Sequence, residues 1–432
     1  MLEMIWTYLP IVMALFFLIY YKAMRLNIDF VAYYFFSIFP YFSFNENGIG
    51  NNQYIYTSIM LYFALFLILY GFCTLLVKGA ILEINSLLLC FFSFVLYITV
   101  NGLLNHPTVN MYKGIRNIVF FPTVVLVLYW FLGKSIEEVK KVARINVLIM
   151  CACIIGQYIV SPWHALSIMN YVRYRCFFND ANTFAAVLLI YLYFATSGGI
   201  SKKDIAYTLL SGISILFCWS TSGAFAFMIW IIDLKRIKDF VNKIRIYKCI
   251  LFALIGIVVV LVLIRSLSPQ IYNSMFQSQS DRMFLWAIYI NAFFKNPLFG
   301  CGYTNTSATF GLYMNDLPYD PATYNIVSSV WENGGAIIAH NDLLRILADT
   351  GIVGFVFFLI FIGLMFKKAN MQRVEKNLKM IMMGIVYLIT HNYIQGYILW
   401  MMFFCVMLYE KENYCTRFVS EQTSSFKVDA NG

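Results

Sequence analysis

Long apolar runs recur along most of the chain, and they limit its possible folds more than any other feature. A bilayer core is about 30 Å thick, so a helix needs roughly 20 apolar residues to cross it. Runs that reach or approach this length lie at about 5–21, 29–44, 55–77, 81–103, 116–132, 144–161, 182–197, 205–219, 222–234, 247–265, 343–366 and 380–409. The last run can hold one tilted span or two short ones. The sequence therefore predicts an all-α, polytopic integral membrane protein with about 12 or 13 transmembrane helices.

Composition agrees with a membrane protein and excludes a soluble one. Hydrophobic residues make up 61% of the 432 residues and charged residues only 12%, whereas a soluble domain carries roughly 25% charged residues. The first run lacks the small-residue cleavage site of a signal peptide, so we expect a retained helix there. The net charge of +10 does not indicate nucleic acid as a partner, because the basic residues lie between apolar runs.

The positions of the basic residues predict the orientation of the chain. If residues 266–341 lie outside, 23 of the 31 lysines and arginines fall in cytoplasmic segments and eight fall outside. Cytoplasmic loops of membrane proteins carry such an excess of positive charge. We therefore predict one membrane domain over 1–432, with a large outside loop at 266–341 and a cytoplasmic tail at 410–432. The outside arginines go against the bias and are candidates for function.

Cysteine and histidine patterns indicate neither a metal site nor a disulfide framework. Most of the ten cysteines lie in apolar runs, where a thiol behaves as a small hydrophobe. Cys176 and Cys301 fall in outside loops and could pair in an oxidising compartment. Cys-x-x-Cys, His-Glu-x-x-His and Walker-type loops are absent from the sequence, so we expect no metal and no cofactor. Energy for any reaction then has to come from the substrate.

The first outside stretch with polar side chains is "NYVRYRCFFNDANTFAAVLL". Arg173 and Arg175 precede Asn179, Asp180 and Asn182. In one interpretation the Asn and Asp residues cap the next helix, and the arginines lie at the membrane interface. In the other, the two guanidinium groups bind an anion, since their planar geometry matches the oxygens of a phosphate.

The second stretch is "SDRMFLWAIYINAFFKNPLFGCG". Arg282 and Trp286 are one helical turn apart, so the cation could lie over the indole ring. Asn296–Pro297 ends this helix, and Gly300 and Gly302 allow a tight turn whose backbone amides could point at a ligand. The alternative is an amphipathic re-entrant helix that only forms the floor of the loop.

The third stretch is "AHNDLLRILADTGIVGFVFFL". Asn341 or Asp342 is a plausible N-cap, which places His340 at the start of a transmembrane helix whose positive dipole end faces outside. Arg345 and Asp349 are spaced i,i+4 and are expected to pair. His340 is a candidate for function, and a purely structural role for this histidine is the alternative. A second His-Asn pair, His391–Asn392, lies near the outside end of another helix.

Three motifs in this order resemble the family of O-antigen ligases and O-antigen polymerases, the membrane glycosyltransferases of bacterial surface polysaccharides. The first is similar to Arg-x-x-Gly-x-Phe-x-Asp-Pro-Asn and is met by Arg173, Phe178, Asp180 and Asn182. Cys176 stands where glycine is usual, and Ala181 stands where proline is usual. Since Arg175 lies two residues on, either arginine could be the working one.

The second and third motifs follow the family pattern more closely. The second resembles Arg-x-x-x-Trp followed by Asn-Pro-Leu-Phe-Gly-x-Gly and is met by Arg282, Trp286, Asn296, Pro297, Gly300 and Gly302. The third resembles His-Asn-x-x-Leu, then Gly-x-x-Gly, and is met by His340, Asn341, Leu344, Gly351 and Gly354. The segment Ser220–Gly223 resembles a further family site, but the arginine that often follows the serine is absent.

The resemblance implies a metal-independent glycosyltransferase that takes glycan from undecaprenyl diphosphate on the periplasmic face. The departing diphosphate develops negative charge, which fixed arginines stabilise. Arg173, Arg175 and Arg282 are the candidates for that role. The implied substrate-binding residues also include Asn182, Trp286, Gly300, Gly302 and Asn341. His340 could orient or deprotonate the acceptor hydroxyl, since an unperturbed histidine pKa of about 6.5 allows base function at neutral pH.

The resemblance leaves the acceptor open. An O-antigen polymerase passes the chain to the next lipid-linked repeat unit, and a ligase passes it to lipid A core oligosaccharide. We favour the polymerase, because polymerases vary so widely that altered motifs are expected. A flippase or transporter of the same lipid, and a structural assembly protein of the envelope, stay as alternatives. The expected location is the bacterial inner membrane, with a chain-length regulator and a flippase of the same pathway as partners.

Overall fold

A computed structural model describes residues 2–23, 30–43, 55–78, 86–105, 109–133, 136–160, 166–168, 171–174, 176, 178, 180–196, 201–232, 269–314, 321–333, 337, 339–372, 374–391, 393–394 and 396–407. The apolar run predicted at 247–265 lies outside the described residues, and so do Arg175 and the tail predicted at 410–432.

Helices occupy the places where the apolar runs predict them in the N-terminal part of the chain. They are α1 (Leu2–Ala23), α2 (Phe30–Ser43), α3 (Ile55–Lys78), α4 (Ser86–Leu104), α5 (Val109–Leu132), α6 (Ile136–Val160), α7 (Ala181–Ala195), α8 (Lys202–Phe217) and α9 (Thr221–Ile231). Apolar segments form helices in a bilayer because a helix satisfies all of its own backbone polar groups.

The C-terminal part adds helices around and after the predicted loop. They are α10 (Pro269–Lys295), α11 (Asn305–Ala308), α12 (Gly311–Met314), α13 (Pro321–Glu332), α14 (Asp342–Met371), α15 (Glu375–Thr390) and α16 (Tyr397–Phe403), with a 3₁₀ turn at Phe404–Met407. The run predicted at 380–409 therefore forms two helices, which the segment 391–396 separates.

One short antiparallel ribbon departs from the all-helical prediction. Strand β1 (Leu166–Ile168) pairs with β2 (Tyr171–Arg173), and Leu166 lies opposite Arg173. The ribbon directly precedes the first motif and α7.

The fold is otherwise all-α and polytopic, as predicted. In the described part of the chain, four helices are long and apolar enough to cross a membrane, at Ser86–Leu104, Tyr112–Leu132, Ile136–Val160 and Asp342–Met371. Shorter apolar helices lie at Thr7–Tyr21, Phe30–Ser43, Ser58–Thr74, Ala181–Ala195, Thr221–Ile231 and Tyr397–Met407. The chain is therefore a multi-pass membrane protein. The total of 12 or 13 spans stays a prediction, because the run at 247–265 is not described.

Helix α7 forms the centre of the bundle. Every residue of this helix except Asn182 is buried, and α6, α8, α9, α15 and α16 pack around it. A helix that is apolar on all sides is stable only when other helices surround it or lipid does. Asn182, the one residue of α7 that is not buried, lies in the first turn of the helix and belongs to the first motif.

Basic side chains satisfy the carbonyls at the C-terminal ends of two central helices. Arg144 Nε donates to Ala195 O at 2.9 Å, and Lys376 Nζ donates to Thr196 O at 3.3 Å, both at the end of α7. Lys379 Nζ donates to Trp230 O in the last turn of α9 at 3.1 Å. Cations favour the negative end of a helix. These residues belong to the set predicted to be cytoplasmic, and the N-termini of α7 and α9 lie at the opposite end.

Candidate functional site

Three of the helices that begin on the predicted outside face start with a side-chain cap. Asp180 Oδ2 accepts the amide of Thr183 at 3.1 Å at the start of α7. Asn341 Oδ1 accepts the amide of Leu344 at 3.1 Å at the start of α14. Both caps were predicted from the sequence and are confirmed. Ser220 caps α9 in the same way by accepting the amide of Gly223 at 2.9 Å.

A direct hydrogen bond joins the starts of α7 and α9. Ser220 Oγ donates to Asn182 Oδ1 at 2.7 Å, and Asn182 Nδ2 donates to Asp180 Oδ1 at 3.2 Å. The Ser220–Gly223 segment and the first motif are therefore one structural unit.

The segment 391–396 connects the starts of α7 and α14. Tyr393 OH donates to Asp180 Oδ2 at 3.4 Å, and it lies 3.0 Å from Thr183 Oγ1. The amide of Ile394 donates to Asp342 Oδ2 at 2.8 Å. These bonds hold the first and third motifs beside each other.

His340 is exposed and adopts a left-handed backbone conformation with φ of 50°. Desolvation by the surrounding protein lowers the pKa of His340, the charge of Arg282 lowers it further, and the charge of Asp180 opposes both effects. Arg282, His340 and Asp180 come from three different motifs, and the charges of Arg282 and Asp180 both act on His340. The neutral form of His340 is favoured there, and only the neutral form can accept a proton.

Trp286 contacts the residue that precedes His340. Its indole Nε1 donates to Ala339 O at 2.9 Å. The donor of this side chain is thus used inside the protein, while its contact with Arg282 stays a prediction.

The 296–302 turn completes a break in α14. Gly351 has non-helical backbone angles, with φ of 63° and ψ of −170°, so it interrupts the hydrogen bonds of the helix. The amides of Cys301 and Gly302 donate to Ala348 O at 3.1 Å and Asp349 O at 2.9 Å. In return, the amides of Ile352 and Val353 donate to Pro297 O at 2.9 Å and Leu298 O at 3.2 Å. The turn therefore replaces the two helical bonds that these groups would otherwise make.

This arrangement contradicts one prediction from the sequence. The backbone amides of the turn were predicted to point at a ligand, but those of Gly300, Cys301 and Gly302 all donate within the protein. The prediction is wrong for a physical reason, because the carbonyls of a broken helix compete for the same amides.

Glycine is required where the turn meets the break. Gly300 and Gly302 have φ of 73° and 93°, which residues with a Cβ rarely adopt. A Cβ at Gly300 would overlap the backbone of Asp349, and a Cβ at Gly351 would overlap the carbonyl of Leu298. The two backbones can approach this closely only because both positions lack a side chain.

A buried ion pair strengthens the same junction. Arg345 Nε lies 3.6 Å from Asp349 Oδ2, which confirms the predicted i,i+4 pair. Asp349 also accepts the amides of Thr304 at 2.8 Å and Thr306 at 3.1 Å. One carboxylate thus joins α14 to the loop that follows the turn.

The other predicted residues are the two arginines of the first motif and the two cysteines of the outside loops. The backbone of Arg173 is in β2, and Arg175 lies outside the described residues. Cys176 is buried with φ of 53°, and its amide donates to Gln157 Oε1 at 2.8 Å. Its left-handed conformation accounts for the glycine that is usual at this position of the motif. Cys176 and Cys301 are both free thiols, so they do not pair with each other.

Ser222 and His391 form a pair that the sequence analysis did not predict. Ser222 Oγ lies 2.9 Å from His391 Nε2, and both side chains are buried. The pair ties α9 to the end of α15. Ser222 lies in the Ser220–Gly223 segment, and His391 lies in the second His-Asn pair. No sequence pattern relates two positions that are 169 residues apart.

A comparison with known families finds one match, which covers part of the chain. Residues 204–359 match the sequence model of a family described as O-Antigen ligase. This region covers about a third of the chain and contains the second motif and His340. No curated protein matches the chain. The family match covers the second and third motifs and agrees with the family that they resemble, so residues 204–359 are similar to the O-antigen ligase family.

Proposed function

We propose that this protein is an O-antigen polymerase of the bacterial inner membrane. It transfers glycan from undecaprenyl diphosphate to the next lipid-linked repeat unit, and its active site faces the periplasm. The family match supports an enzyme of this kind, and the arrangement of Arg282, His340 and Asp180 supports the chemistry.

The observation that carries the proposal is that the opposite charges of Arg282 and Asp180 both act on His340. The pKa of His340 is lowered by desolvation and by Arg282, so the imidazole stays neutral over more of the acid range. A neutral, exposed imidazole can accept the proton of an acceptor hydroxyl as that oxygen attacks the anomeric carbon. Asp180 then stabilises the imidazolium that forms.

Arg282 is proposed to stabilise the leaving diphosphate. The bond from the anomeric carbon to the phosphate oxygen breaks as the new glycosidic bond forms, and negative charge grows on that oxygen. A fixed guanidinium placed against the growing charge lowers the barrier without reorganising at the moment of reaction. Because the arginine supplies the positive charge, we propose that no metal is needed. Turnover should then persist in the presence of a chelator.

Other residues of the three motifs are proposed to bind substrate. Arg173 and Arg175 complement the diphosphate in this proposal. Asn182 and Asn341 lie at the starts of α7 and α14, where the positive ends of the helix dipoles also favour an anion. The ring of Trp286 is proposed to stack on a sugar or on the lipid.

A ligase is the second candidate, because the matching family is described as O-Antigen ligase. In a ligase the same donor would be attacked by lipid A core instead of a repeat unit. Deletion of the gene and gel analysis of surface polysaccharide separate the candidates. Single-repeat chains are the result expected for a polymerase, and bare core with lipid-linked polymer would indicate a ligase. Absence of exported repeat units would indicate a flippase and overturn both.

A further inference from the structure

Two contacts lie at the ends of the region where α10 packs against the first part of α14, residues 342–350. The upper contact is the hydrogen bond from Trp286 Nε1 to Ala339 O. The lower contact is the set of four backbone bonds between the 296–302 turn and residues 348–353. The two segments run side by side between these contacts, because α10 packs along α14.

We infer that these two contacts hold Arg282 and His340 at a fixed separation. The inference rests on the proposed function, and it makes Trp286 and Gly351 positioning residues. Arg282 lies one turn before Trp286 on α10, and His340 directly follows Ala339, so the upper contact lies next to both. The lower contact sets the depth and rotation of α10 relative to α14.

The spacing of the two contacts fits rigid helices. From Trp286 to Lys295 and from Asp342 to Thr350, a helix rises about 12–14 Å at 1.5 Å per residue. The two helical segments between the contacts are therefore of similar length, and each is held at both of its ends. A single contact would leave α10 free to rotate about that point, whereas two contacts of matching span do not.

Two side chains from α4 also secure the lower contact. Tyr97 OH donates to Thr350 O at 2.7 Å, a carbonyl that the break at Gly351 leaves open. Asn101 Nδ2 donates to Phe299 O within the turn. The carbonyls of residues 348–350 and the amides of residues 352 and 353 thus all have a partner outside α14. The left-handed backbone of His340 fits the same picture, because strain of this kind persists only where the surroundings fix the conformation.

Substrate binding and positioning make different predictions for Trp286. If its ring only stacks on a substrate, Trp286→Phe keeps an aromatic face and raises KM. If its N–H fixes the geometry, the same variant keeps KM and lowers kcat. A displacement of reacting groups by about 1 Å can cost on the order of 100-fold in rate.

The test compares Trp286→Phe and Gly351→Ala with the control Gly363→Ala. Gly363 lies on the same helix, and a Cβ there would meet nothing within 4 Å. The full-length proteins are purified in detergent, and kcat and KM are measured with a lipid-linked repeat unit. In both test variants we expect kcat to fall roughly 10- to 100-fold and KM to change less than about threefold. The control should match the wild type.

A second measurement does not depend on activity. The pKa of His340 is followed by NMR with labelled histidine, and the signal is assigned with His340→Gln. Separation from Arg282 removes a charge that lowers this pKa, so the pKa should rise in both test variants and stay constant in the control. If Gly351→Ala does not insert in the membrane, Trp286→Phe decides the result.

The outcomes separate the inference from the proposed function. Unchanged kcat and unchanged His340 pKa in inserted Trp286→Phe would overturn the positioning role, and so would a rise in KM alone. A wild-type protein that transfers glycan to neither acceptor would overturn the proposed function. In that case a raised His340 pKa in the variant would still support the fixed separation of Arg282 and His340.

Discussion

At the scale of single residues, the backbone conformation of His340 and the charges around it are the most informative features. A φ of 50° is uncommon for a residue with a side chain, although histidine tolerates it better than most. His340 directly precedes the N-cap Asn341, so its imidazole lies outside the helix. The charges of Arg282 in α10 and of Asp180, the N-cap of α7, act on it there. Sequence spacing alone does not give this arrangement.

Replacement of His340 should remove the base. We expect His340→Gln to lower turnover by roughly 10²- to 10⁴-fold, the usual range for general acid–base catalysis. In the wild type, the rate should fall on acidification through an apparent pKa below the ordinary value of about 6.5, because desolvation and Arg282 both favour the neutral form. A turnover series from about pH 5 to 9 measures this acid limb.

The matched control is His391→Gln. Glutamine can keep the hydrogen bond to Ser222, so the acid limb should stay where it is in the wild type. Turnover of His340→Gln at the wild-type level would remove the histidine from the mechanism.

Arg282 should be sensitive to shape as well as to charge. We expect Arg282→Ala to abolish chain extension while the protein still inserts in the membrane. Arg282→Lys should recover only part of the activity, since lysine keeps the charge but lacks the planar guanidinium group. Extension is read from the length distribution of the polysaccharide on gels. Lys295→Ala, at the C-terminal end of the same helix, is the control and should extend chains normally. Normal extension by Arg282→Ala would contradict the proposed role.

At the scale of elements, the sequence predicted local features correctly and a long-range contact wrongly. The N-caps Asp180 and Asn341 and the Arg345–Asp349 pair depend on residues within four positions of each other, so spacing is sufficient to predict them. The glycine turn was recognised, but its amides were assigned to a ligand. The amides of Cys301 and Gly302 donate to Ala348 O and Asp349 O in α14, and no local pattern indicates that this helix breaks at Gly351.

The ion pair between Arg345 and Asp349 should be essential for the stability of this junction. Asp349→Asn keeps the size of the side chain but leaves Arg345 without its nearer carboxylate, since Asp342 Oδ1 lies 4.0 Å from the guanidinium. Breaking a buried pair costs about 3–5 kcal/mol, so we expect a clear fall in the thermal unfolding temperature in detergent. Glu332→Gln removes an exposed carboxylate from the same loop and should have little effect. Equal unfolding temperatures for the two variants would show that the pair contributes little.

At the scale of the whole molecule, apolar length and composition were sufficient to predict a helical membrane protein. They could not predict which helix ends meet. Asn182 and Ser220 are separated by a helix pair and are joined by one hydrogen bond of 2.7 Å. Similarly, the segment 391–396 touches both Asp180 and Asp342. Such neighbours depend on how the helices pack around α7, and hydropathy contains no information on that packing.

The orientation of the bundle is the prediction on which the mechanism depends. With 23 of 31 basic residues assigned inside, the loop at 266–341 should face the periplasm. Leu312 in this loop and Lys202 at the start of α8 are both exposed, so they offer matched labelling sites on opposite sides. In a variant without other cysteines, Leu312→Cys should react with a membrane-impermeant thiol reagent once the outer membrane is permeable. Lys202→Cys should react only after the inner membrane is opened. The reverse pattern would place His340 and Arg282 in the cytoplasm, where a lipid-linked repeat unit that has already been exported cannot reach them.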